Sequence, residues 1–423
     1  MVQERIINLV DMGKAARKAS LQLAGLTSEQ KNAALLRIAD LLDARREAII
    51  TVNKLDIDAA IENGVDPLYV RDRINLELRM DGIIADVRKV AELADPVGEV
   101  FDENVLENGL KVLKRRVPLG VLGTIYESRP NVTIDIATLA LKTGNAVILR
   151  GGSDVLNTNL ALVQILQDAL SEQGIDSSAI QYIESTDRQY VNEMLKLHLY
   201  IDMIIPRGGN RLHDLCRENS TIPVITGGIG ICHLYVDKSA DLARCLPVIH
   251  NAKTQRPAVC NALDTLLVHE SVAEGFLKQV VDMLRKDSVS FRADPKAYAL
   301  LKDQEGVDLA GAEDFDTEWY ALILGLKVVQ NLDEAIVHIR VHSTQHSDGI
   351  LTEDAAHAAR FLNEVDSAAV YLNASTRFTD GSALGLGAEV AITTQKLHAR
   401  GPMALKELTT YKWIIEGDYT SRA

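Results

Sequence analysis

A cysteine preceded by two cations is the part of the sequence most clearly able to do covalent chemistry. Cys260 follows Lys253, Arg256 and Pro257, and the apolar run 263–269 that comes after it is typical of a strand. Fixed positive charge stabilises a thiolate, which is the nucleophilic form of the side chain. Unpaired cysteines are more often small apolar core residues, so the spacing alone leaves a buried core cysteine as the alternative.

Length, charge and cysteine usage limit the class of protein. The chain has 423 residues, of which 47% are apolar, enough for two or three domains with large cores. Its net charge of −14 excludes the basic surface that binds nucleic acid. The four cysteines include no Cys-X-X-Cys pair, so no metal site is expected. No apolar run reaches the ~18 residues of a membrane span, and the thiols predict a reducing cytoplasm.

The first quarter of the chain predicts helices followed by a hairpin. Residues 2–95 have helical periodicity, and 27–30 fits a capping box. The segment 97–118 alternates like two strands around Asn108 and Gly109, a strong turn signal. Because a lone hairpin buries little surface, this one needs a partner surface, in its own domain or elsewhere.

The remainder alternates between strand and helix. From residue 119 short apolar strands, the last of them at 223–225, alternate with helices. This rhythm predicts a parallel sheet covered by helices. A second run of the same kind begins near residue 231 and carries Cys260 in the loop before the strand 263–269.

Polar and glycine residues follow the predicted strands of the first run. Ligands of open parallel sheets bind at the carboxyl ends of the strands. The candidates at those ends are Arg129, Asn131, Arg150, Gly151, Gly152, Arg207, Gly208 and Gly209. The sequence contains no Gly-X-Gly-X-X-Gly fingerprint, so a dinucleotide would have to be held without it.

Four long blocks, in order, resemble one family. The stretch 251–269 resembles the active-site signature of the gamma-glutamyl phosphate reductases, a family of the aldehyde dehydrogenase superfamily. The blocks 126–152, 364–381 and 385–413 resemble the same family, so the resemblance covers nearly the whole chain. It implies an aldehyde dehydrogenase-like α/β fold with two open, twisted α/β domains, an active-site cleft between them and a small β flap for oligomerisation.

The resemblance also implies domain limits. The expected parts are an NADP-binding domain at 1–98 and 119–228, a catalytic domain with Cys260 at 229–405, and oligomerisation strands at 99–118 and 406–423. In aldehyde dehydrogenases a segment like the hairpin pairs with the C-terminal strand and projects to another subunit. The tail at 410–416 is the candidate for that strand, and a homo-oligomer is expected.

By the same resemblance, Cys260 is the nucleophile of a reductase that acts on L-glutamyl 5-phosphate, in the second step of proline biosynthesis from glutamate. The thiolate displaces phosphate to form a thioester, and hydride from NADPH then yields L-glutamate 5-semialdehyde. Asn131 aligns with the asparagine that, together with the backbone N–H of the cysteine, stabilises the oxyanion. The residues alone favour Asn131 as the cap of a helix that begins at Val132.

Three cations are assigned to the anionic groups of this substrate. Arg129, Lys253 and Arg256 would bind its phosphate and α-carboxylate, for which arginine is well suited. Pairing with the many surface carboxylates is the alternative for each of them. His398 and Arg400 are weaker candidates from a family-like segment. Glutamyl phosphate is labile, which makes hand-over from glutamate 5-kinase reasonable, although the sequence contains no recognisable docking site.

The cofactor residues implied by the resemblance favour NADP over NAD. They are Arg150, Ser153, Gly208, Gly209 and Glu318. Arg150 replaces a lysine that holds the adenosine ribose in many relatives, and Ser153 stands where NAD-preferring relatives often have a glutamate. The missing carboxylate removes repulsion against a 2′-phosphate, which Arg150 would attract. Glu318 aligns with the glutamate that holds the nicotinamide ribose, and a solvated loop acid is the alternative.

One departure from related enzymes concerns water. Hydrolytic aldehyde dehydrogenases have a glutamate as base for the deacylating water where this sequence has Thr226. A reductase does not need that base, so Thr226 favours reduction of an acyl phosphate over oxidation of an aldehyde to an acid. A hydrolytic aldehyde dehydrogenase and a non-catalytic oligomeric scaffold with an inert Cys260 are the competing hypotheses.

Overall fold

The chain folds into two compact α/β units. A computed structural model describes residues 7–227 and 229–422. Residues 1–6, Gly228 and Ala423 lie outside the described residues, and so do the predicted domain limits at 1, 228 and 423. Among the described residues, the first unit comprises 7–226, 386–391 and 403–422, and the second comprises 227, 229–385 and 392–402.

The first unit contains nine helices within the described residues. Helices α1 to α9 occupy, in order, Leu9–Leu23, Ser28–Ala44, Arg46–Glu62, Pro67–Tyr69, Met80–Glu92, Asn131–Lys142, Leu156–Glu172, Gln189–Met194 and Asn210–Asn219. The predicted capping box is confirmed at the start of α2, where the Gln30 N–H donates to Thr27 Oγ1 and the Thr27 N–H donates to Gln30 Oε1. Helix α2 packs against α5, α6 and α7.

A four-stranded parallel sheet forms the centre of this unit. Strands β3 to β6 occupy Val121–Tyr126, Ala146–Arg150, Ile180–Tyr182 and Met203–Arg207, in the spatial order β5-β4-β3-β6. The strand order reverses at β3, so the carboxyl ends of β3, β4 and β6 meet at one edge. The predicted strand 223–225 is reduced to a single parallel bridge between Val224 and Ile204 of β6. There the Ile204 N–H donates to the carbonyl oxygen of Pro223, and the Ile225 N–H donates to that of Ile204.

The predicted hairpin is confirmed. Strands β1, Val100–Val105, and β2, Lys111–Pro118, pair antiparallel across a turn in which Gly109 has φ +83°. The C-terminal strand β16, Thr409–Glu416, adds to β2 in antiparallel register from Thr409 opposite Pro118 to Glu416 opposite Lys111. The surface that supports the hairpin is therefore, in part, the C-terminal strand of the same chain.

The second unit contains a seven-stranded parallel sheet. Strands β7 to β13 occupy Cys232–Val236, Leu263–His269, Ser290–Ala293, Val307–Leu309, Ile323–Val329, Ser347–Leu351 and Ala369–Leu372. Helices α10 to α14 occupy Leu242–Thr254, Glu270–Leu284, Pro295–Leu301, Leu332–His342 and Ala355–Glu364. The strand order is β10-β9-β11-β8-β7-β12-β13, all parallel. Strands β14, Ala391–Thr393, and β15, Gly401–Met403, pair with each other.

Strand β8 is the central strand of this sheet, and six of its seven residues are buried. Its apolar side chains pack with those of α10, α11 and β11 in one core. Burial on both faces explains the near-continuous apolar run that follows Cys260 in the sequence. Among the described residues, no helix is long and apolar enough to cross a membrane.

Strand β12 is an element that the sequence did not predict. It begins with Ser347 and Asp348, and both side chains are buried. Asp348 Oδ1 accepts from the backbone N–H of His233 at 2.9 Å, and its Oδ2 accepts from the hydroxyl of Ser343 at 2.6 Å. These bonds satisfy a carboxylate inside the sheet, which no apolar pattern could reveal.

Candidate active site

Cys260 lies in a turn between α10 and β8, directly before the central strand of the second sheet. None of the four cysteines forms a disulfide, and Cys260 is the one that is partly exposed. Burial raises the pKa of the Cys216 and Cys245 thiols to about 12 and holds that of Cys232 well above its usual range. The partial exposure of Cys260 argues against the alternative of a buried core cysteine.

The backbone of Cys260 is fixed by the segment that enters β7. A β carbon at Gly230 would lie 1.5 Å from the carbonyl oxygen of Cys260, so only glycine fits there. The same oxygen accepts a hydrogen bond from Cys232 Sγ at 3.2 Å. The N–H of Gly230 donates to Glu318 Oε1 at 3.0 Å. These contacts fix the backbone that carries the thiol.

A loop that follows β13 is bonded to the residue after the cysteine. Asn261 Nδ2 donates to the carbonyl oxygen of Thr379 at 2.9 Å and to that of Arg377 at 3.4 Å. The hydroxyl of Thr376 donates to the carbonyl oxygen of Asn261 at 2.8 Å. These bonds hold the backbone of Arg377 next to the turn that carries Cys260.

Arg377 is the residue that the sequence analysis missed in this region. Its Nε donates to Gln255 Oε1 at 3.1 Å. Burial lowers the pKa of Arg377, and the like charge of Arg256 lowers it further, whereas the charges of Asp380 and Cys260 raise it. Arg256 is exposed. Among the described residues, neither arginine has a carboxylate within ion-pair distance, so the pair is a candidate anion site. The resemblance of the block 364–381 was the signal that could have indicated Arg377.

Lys253 has a different environment from the one predicted. Its side chain is 0% exposed, and Nζ donates to the carbonyl oxygen of Leu263 at 2.9 Å. The ammonium also lies 3.6 Å from Asp264 Oδ1. Burial lowers the pKa of Lys253 and raises that of Asp264 to about 7. This ion pair is with a buried carboxylate, whereas the alternative in the sequence analysis was a surface carboxylate, and the assignment of Lys253 to the substrate stays a prediction.

Glu318 is partly buried rather than a solvated loop acid. One carboxylate oxygen accepts from Gly230, and the other, Oε2, is buried with no hydrogen-bond partner among the described residues. Burial raises the pKa of Glu318, whereas hydrogen bonds from the Tyr320 hydroxyl and the Gly230 N–H lower it. An unsatisfied oxygen of this kind is where a ligand hydroxyl would bind.

Asn131 is the first residue of α6, in the first unit. It does not cap the helix, because Pro130 holds the cap position and no side chain bonds the first turn. Instead Nδ2 donates to Asp135 Oδ2 at 2.9 Å, and Oδ1 is buried without a partner among the described residues. The capping interpretation is therefore wrong. Arg129, two residues earlier, is exposed and forms no ion pair within the described part of the chain.

Arg150 ends β4, at the carboxyl edge of the first sheet. Its Nη2 donates to the carbonyl oxygen of Thr186 at 3.0 Å, whereas Nε is buried with no partner among the described residues. Burial lowers its pKa, and the charge of Arg188 acts in the same direction. Ser153 is exposed, and the neighbouring Asp154 accepts a hydrogen bond from Ser128. The edge therefore presents positive charge.

Gly208 and Gly209 follow β6 and are both exposed. Glu127 lies against them, because a β carbon at Gly208 would come within 2.6 Å of its carboxyl carbon. Glu127 Oε2 accepts from the N–H of Gly209 at 3.0 Å. That N–H is therefore occupied by a carboxylate in this structure, which the sequence analysis did not anticipate.

The predicted residues thus fall into one group in each unit. The second unit brings Cys260, Arg256 and Glu318 together with Arg377 and Gly230, and the first unit gathers Asn131, Arg129, Arg150, Ser153, Gly208 and Gly209 at the carboxyl ends of its strands. Among the weaker candidates, Arg400 forms an ion pair with Asp366 at 2.7 Å, and His398 is exposed.

Comparison with known proteins identifies the family. The model of the aldehyde dehydrogenase family matches residues 8–298. Gamma-glutamyl phosphate reductases of Escherichia coli O127:H6 and Photobacterium profundum are 56% and 55% identical, over 98% of this chain and 100% of each of theirs. The crystal structure of gamma-glutamyl phosphate reductase from Thermotoga maritima superposes with a TM-score of 0.96 at 48% identity, covering 99% of this chain and 100% of that one.

A more distant structure supports the fold alone. An acetylating aldehyde dehydrogenase from Geobacillus thermoglucosidasius has a TM-score of 0.68 at 18% identity, with 98% of this chain and 97% of that chain covered. The predicted aldehyde dehydrogenase-like α/β fold is confirmed. The chain belongs to the aldehyde dehydrogenase family and, within it, to the gamma-glutamyl phosphate reductases.

Proposed function

We propose that this protein reduces L-glutamyl 5-phosphate to L-glutamate 5-semialdehyde and phosphate, with NADPH, in the second step of proline biosynthesis from glutamate. The observation that carries the proposal is the partly exposed Cys260 in the same unit as Arg256 and Arg377. Neither arginine has a carboxylate within ion-pair distance among the described residues, and the charge of Asp380 acts on Arg377 from further away. On a chain of net charge −14, such local positive charge suits a substrate with a phosphate and a carboxylate.

In the proposed mechanism Cys260 acts as a covalent catalyst. Its thiolate attacks the acyl carbon, phosphate leaves, and a thioester remains. The nicotinamide cofactor, when bound, supplies the hydride that this thioester accepts. Collapse of the resulting thiohemiacetal releases the aldehyde and restores the thiolate. The fixed carbonyl group of Cys260, held against Gly230, keeps the sulfur in one position through these steps.

Two arginines are the proposed ligands of the anionic groups. Arg377 is held in place through Gln255 and Asn261, and Arg256 is its exposed neighbour. A guanidinium binds a carboxylate or a phosphate with two parallel hydrogen bonds. Arg129 stays a proposed substrate residue of the first unit, and Asn131 stays the proposed donor to the oxyanion, both on the basis of the family resemblance.

The family uses a nicotinamide dinucleotide, and we propose NADP for this chain. Arg150 supports this choice, because its buried Nε lacks a partner among the described residues and the charge of Arg188 is close by. Ser153 adds no negative charge. Asp154 does: its carboxylate accepts a hydrogen bond from the neutral hydroxyl of Ser128 and still acts on Arg150, whose pKa burial lowers and Asp154 raises. Glu318, with one oxygen unsatisfied, is the proposed partner of the nicotinamide ribose, whereas Gly208 and Gly209 would accept the cofactor only if Glu127 moved.

Thr226 supports reduction rather than hydrolysis. The position of the water-activating glutamate in hydrolytic relatives holds a hydroxyl here, and a hydroxyl cannot act as a general base at neutral pH. The thioester is then protected from a wasteful reaction with water. A hydrolytic aldehyde dehydrogenase is therefore the less favoured function.

We also propose that the protein is a homo-oligomer. The three-stranded sheet β1-β2-β16 has exposed aromatic and aliphatic side chains, among them Trp413, 55% exposed, and Ile415, 62% exposed. Lys114 Nζ lies 4.7 Å and 4.8 Å from the ring centroids of Tyr411 and Trp413. Exposed apolar surface of this kind is typical of an interface.

A cytoplasmic location and hand-over from glutamate 5-kinase complete the proposal. The four cysteines form no disulfide, as expected in a reducing compartment. Hand-over is supported by the lability of an acyl phosphate next to a free carboxylate. A gain in flux when kinase and reductase are mixed, relative to the two enzymes separated by a dialysis membrane, would test it.

The reverse reaction tests the proposed function. The wild-type protein is incubated with L-glutamate 5-semialdehyde and either NADP or NAD, with and without phosphate, and reduced cofactor is followed by absorbance. We expect reduced cofactor only when phosphate is present, with a clear preference for NADP. Turnover that does not depend on phosphate would instead indicate a hydrolytic aldehyde dehydrogenase, and a preference for NAD would reject the cofactor assignment.

A further inference from the structure

The orientation of the Asn131 amide depends on a neighbouring carboxylate. Asp135 lies one turn further along α6, on the same face of the helix, and its Oδ2 accepts from Asn131 Nδ2 at 2.9 Å. An ionised carboxylate only accepts hydrogen bonds, so it selects the nitrogen side of the amide. The carbonyl oxygen of the amide must then face away from Asp135.

One end of the Asn131 amide has a partner and the other end does not. Its Oδ1 is buried and has no hydrogen-bond partner among the described residues. An unsatisfied buried acceptor costs stability. Rotation of the amide by half a turn would not remove this cost, because it would place Oδ1 against the Asp135 carboxylate, which has no hydrogen to donate. The contact with Asp135 therefore fixes the orientation of the amide. It leaves the second hydrogen on Nδ2 available for another acceptor.

Asp135 is itself in an unfavourable place for a charge. It is partly buried, and burial raises its pKa to about 6, although the hydrogen bond from Asn131 and the charge of Arg207 oppose that rise. A neutral side chain of the same size would avoid this cost. The negative charge, however, polarises the amide and makes its remaining N–H a stronger donor.

We propose that Asp135 is a positioning residue: it holds one N–H of Asn131 so that the other N–H is presented to the oxyanion that forms when the acyl carbon is attacked. The inference rests on the proposed function, in which Asn131 stabilises that oxyanion. Asp135 acts through Asn131 and touches neither substrate nor cofactor in this account.

A double-mutant cycle in the reverse assay tests this role. kcat and KM for L-glutamate 5-semialdehyde are measured for the wild type, Asn131→Ala, Asp135→Ala and the double variant. Loss of one oxyanion donor lowers kcat by roughly 10²- to 10³-fold, so we expect such a loss for Asn131→Ala and about 10-fold or more for Asp135→Ala. KM should stay within about 2-fold, and the double variant should equal Asn131→Ala, because residues that act as a unit are not additive.

Two further variants separate positioning from folding. Asp135→Asn keeps the volume but can bond either side of the amide, so it should retain the melting temperature and still lose part of kcat. Asp86→Asn neutralises a nearby carboxylate of α5 and should leave kcat unchanged.

The outcomes are distinct. If the wild type is active and Asp135→Ala keeps the wild-type kcat, the inference is wrong and the proposed function stands. Where the alanine variant does not fold, Asp135→Asn replaces it in this test. A double variant that loses the product of the two single losses would also overturn the inference, since it would indicate an independent structural role. A wild type without phosphate-dependent activity would reject both.

Discussion

The two units present their candidate groups at opposite ends of parallel strands. In the first unit Arg150 and Asn131 lie at or just after the carboxyl ends of β4 and β3. In the second unit Cys260, Gly230 and Glu318 all precede strands, so they lie at the amino ends of β8, β7 and β11. The first edge follows the general rule for ligands of open α/β sheets, and the second does not.

The two edges also differ in how much of each is buried. At the carboxyl edge of the first unit, side chains project from loops and several are exposed, as suits groups that bind a large cofactor from solution. At the amino edge of the second unit, the backbone of Cys260 contacts Gly230 and Cys232, and Asp264, in the strand that follows Cys260, pairs with the buried Lys253. Substitutions that keep Cys260 should therefore reduce stability or catalysis more at the amino edge of the second unit than at the carboxyl edge of the first.

The largest effect is expected for Lys253→Met. It removes a fully buried ammonium and leaves the carboxylate of Asp264 buried alone, which costs about 3–5 kcal/mol of unfolding free energy. The pKa of Asp264 in the folded protein, about 7, lies above its ordinary value of 3.8, so its contribution to stability falls as pH rises between these values. Lys253 lowers that pKa, so its removal should be more damaging at pH 8 than at pH 5.

Urea unfolding of Lys253→Met and of Lys253→Met with Asp264→Asn, at both pH values, measures this effect. The second variant should recover much of the loss at pH 8, because no charge is left buried. A stable Lys253→Met protein with a raised KM for the substrate would instead support the assignment of Lys253 to substrate binding.

Gly230→Ala should have the next largest effect. The added carbon would lie 1.5 Å from the Cys260 carbonyl oxygen, so the nucleophile must move. A displacement of about 1 Å in an active site can cost on the order of 10²-fold in kcat. Gly275→Ala in α11 is the matched control, because its added carbon would have no atom within 4 Å, and it should keep full activity. Equal kcat for both variants would contradict the close approach.

Arg377→Met should mainly raise KM. A hydrogen bond to a charged group contributes about 1.5–3 kcal/mol, which corresponds to a KM increase of roughly 10- to 100-fold for glutamate semialdehyde or phosphate. Arg340→Met removes an arginine from the surface of α13 and serves as the control. Steady-state kinetics with each substrate varied in turn would also tell which anionic group Arg377 binds. An unchanged KM for both would remove Arg377 from the site.

The smallest effect is expected at the carboxyl edge. Arg150→Met should lower the ratio of kcat/KM for NADP to kcat/KM for NAD by about 10-fold, because it removes one contact to the 2′-phosphate. The free energy of unfolding should change little. Arg188→Met should act in the same direction if the two charges serve one phosphate. The measurement is kcat/KM for both cofactors. A ratio that does not change would place the specificity elsewhere.

Much of the fold was predictable because it depends on local patterns. The hairpin around Asn108 and Gly109 follows from turn chemistry, and the alternation after residue 119 predicts a parallel sheet. Strand β12 was missed because its first residues are polar and are stabilised by partners distant in sequence. The periodicity of apolar residues does not reveal hydrogen bonds that satisfy buried polar side chains.

The residues of the candidate site also differ in whether the neighbouring sequence predicts them. Cys260 was recognisable from its neighbours along the chain and from family resemblance. The ion pair of Lys253 with Asp264 was not predicted, because the sequence does not indicate that the two side chains lie together inside the core. Arg377 and Asp135 were missed because each is defined by what it contacts rather than by its own type.

The central claim is that Cys260 carries the acyl group, and one assay tests it most directly. Cys260→Ala is compared with wild type, and with Cys245→Ala as a buried-cysteine control, for reduced cofactor formed from L-glutamate 5-semialdehyde, NADP and phosphate. We predict that wild type and Cys245→Ala turn over and that Cys260→Ala gives no detectable product. Turnover of Cys260→Ala at the wild-type rate would contradict the account.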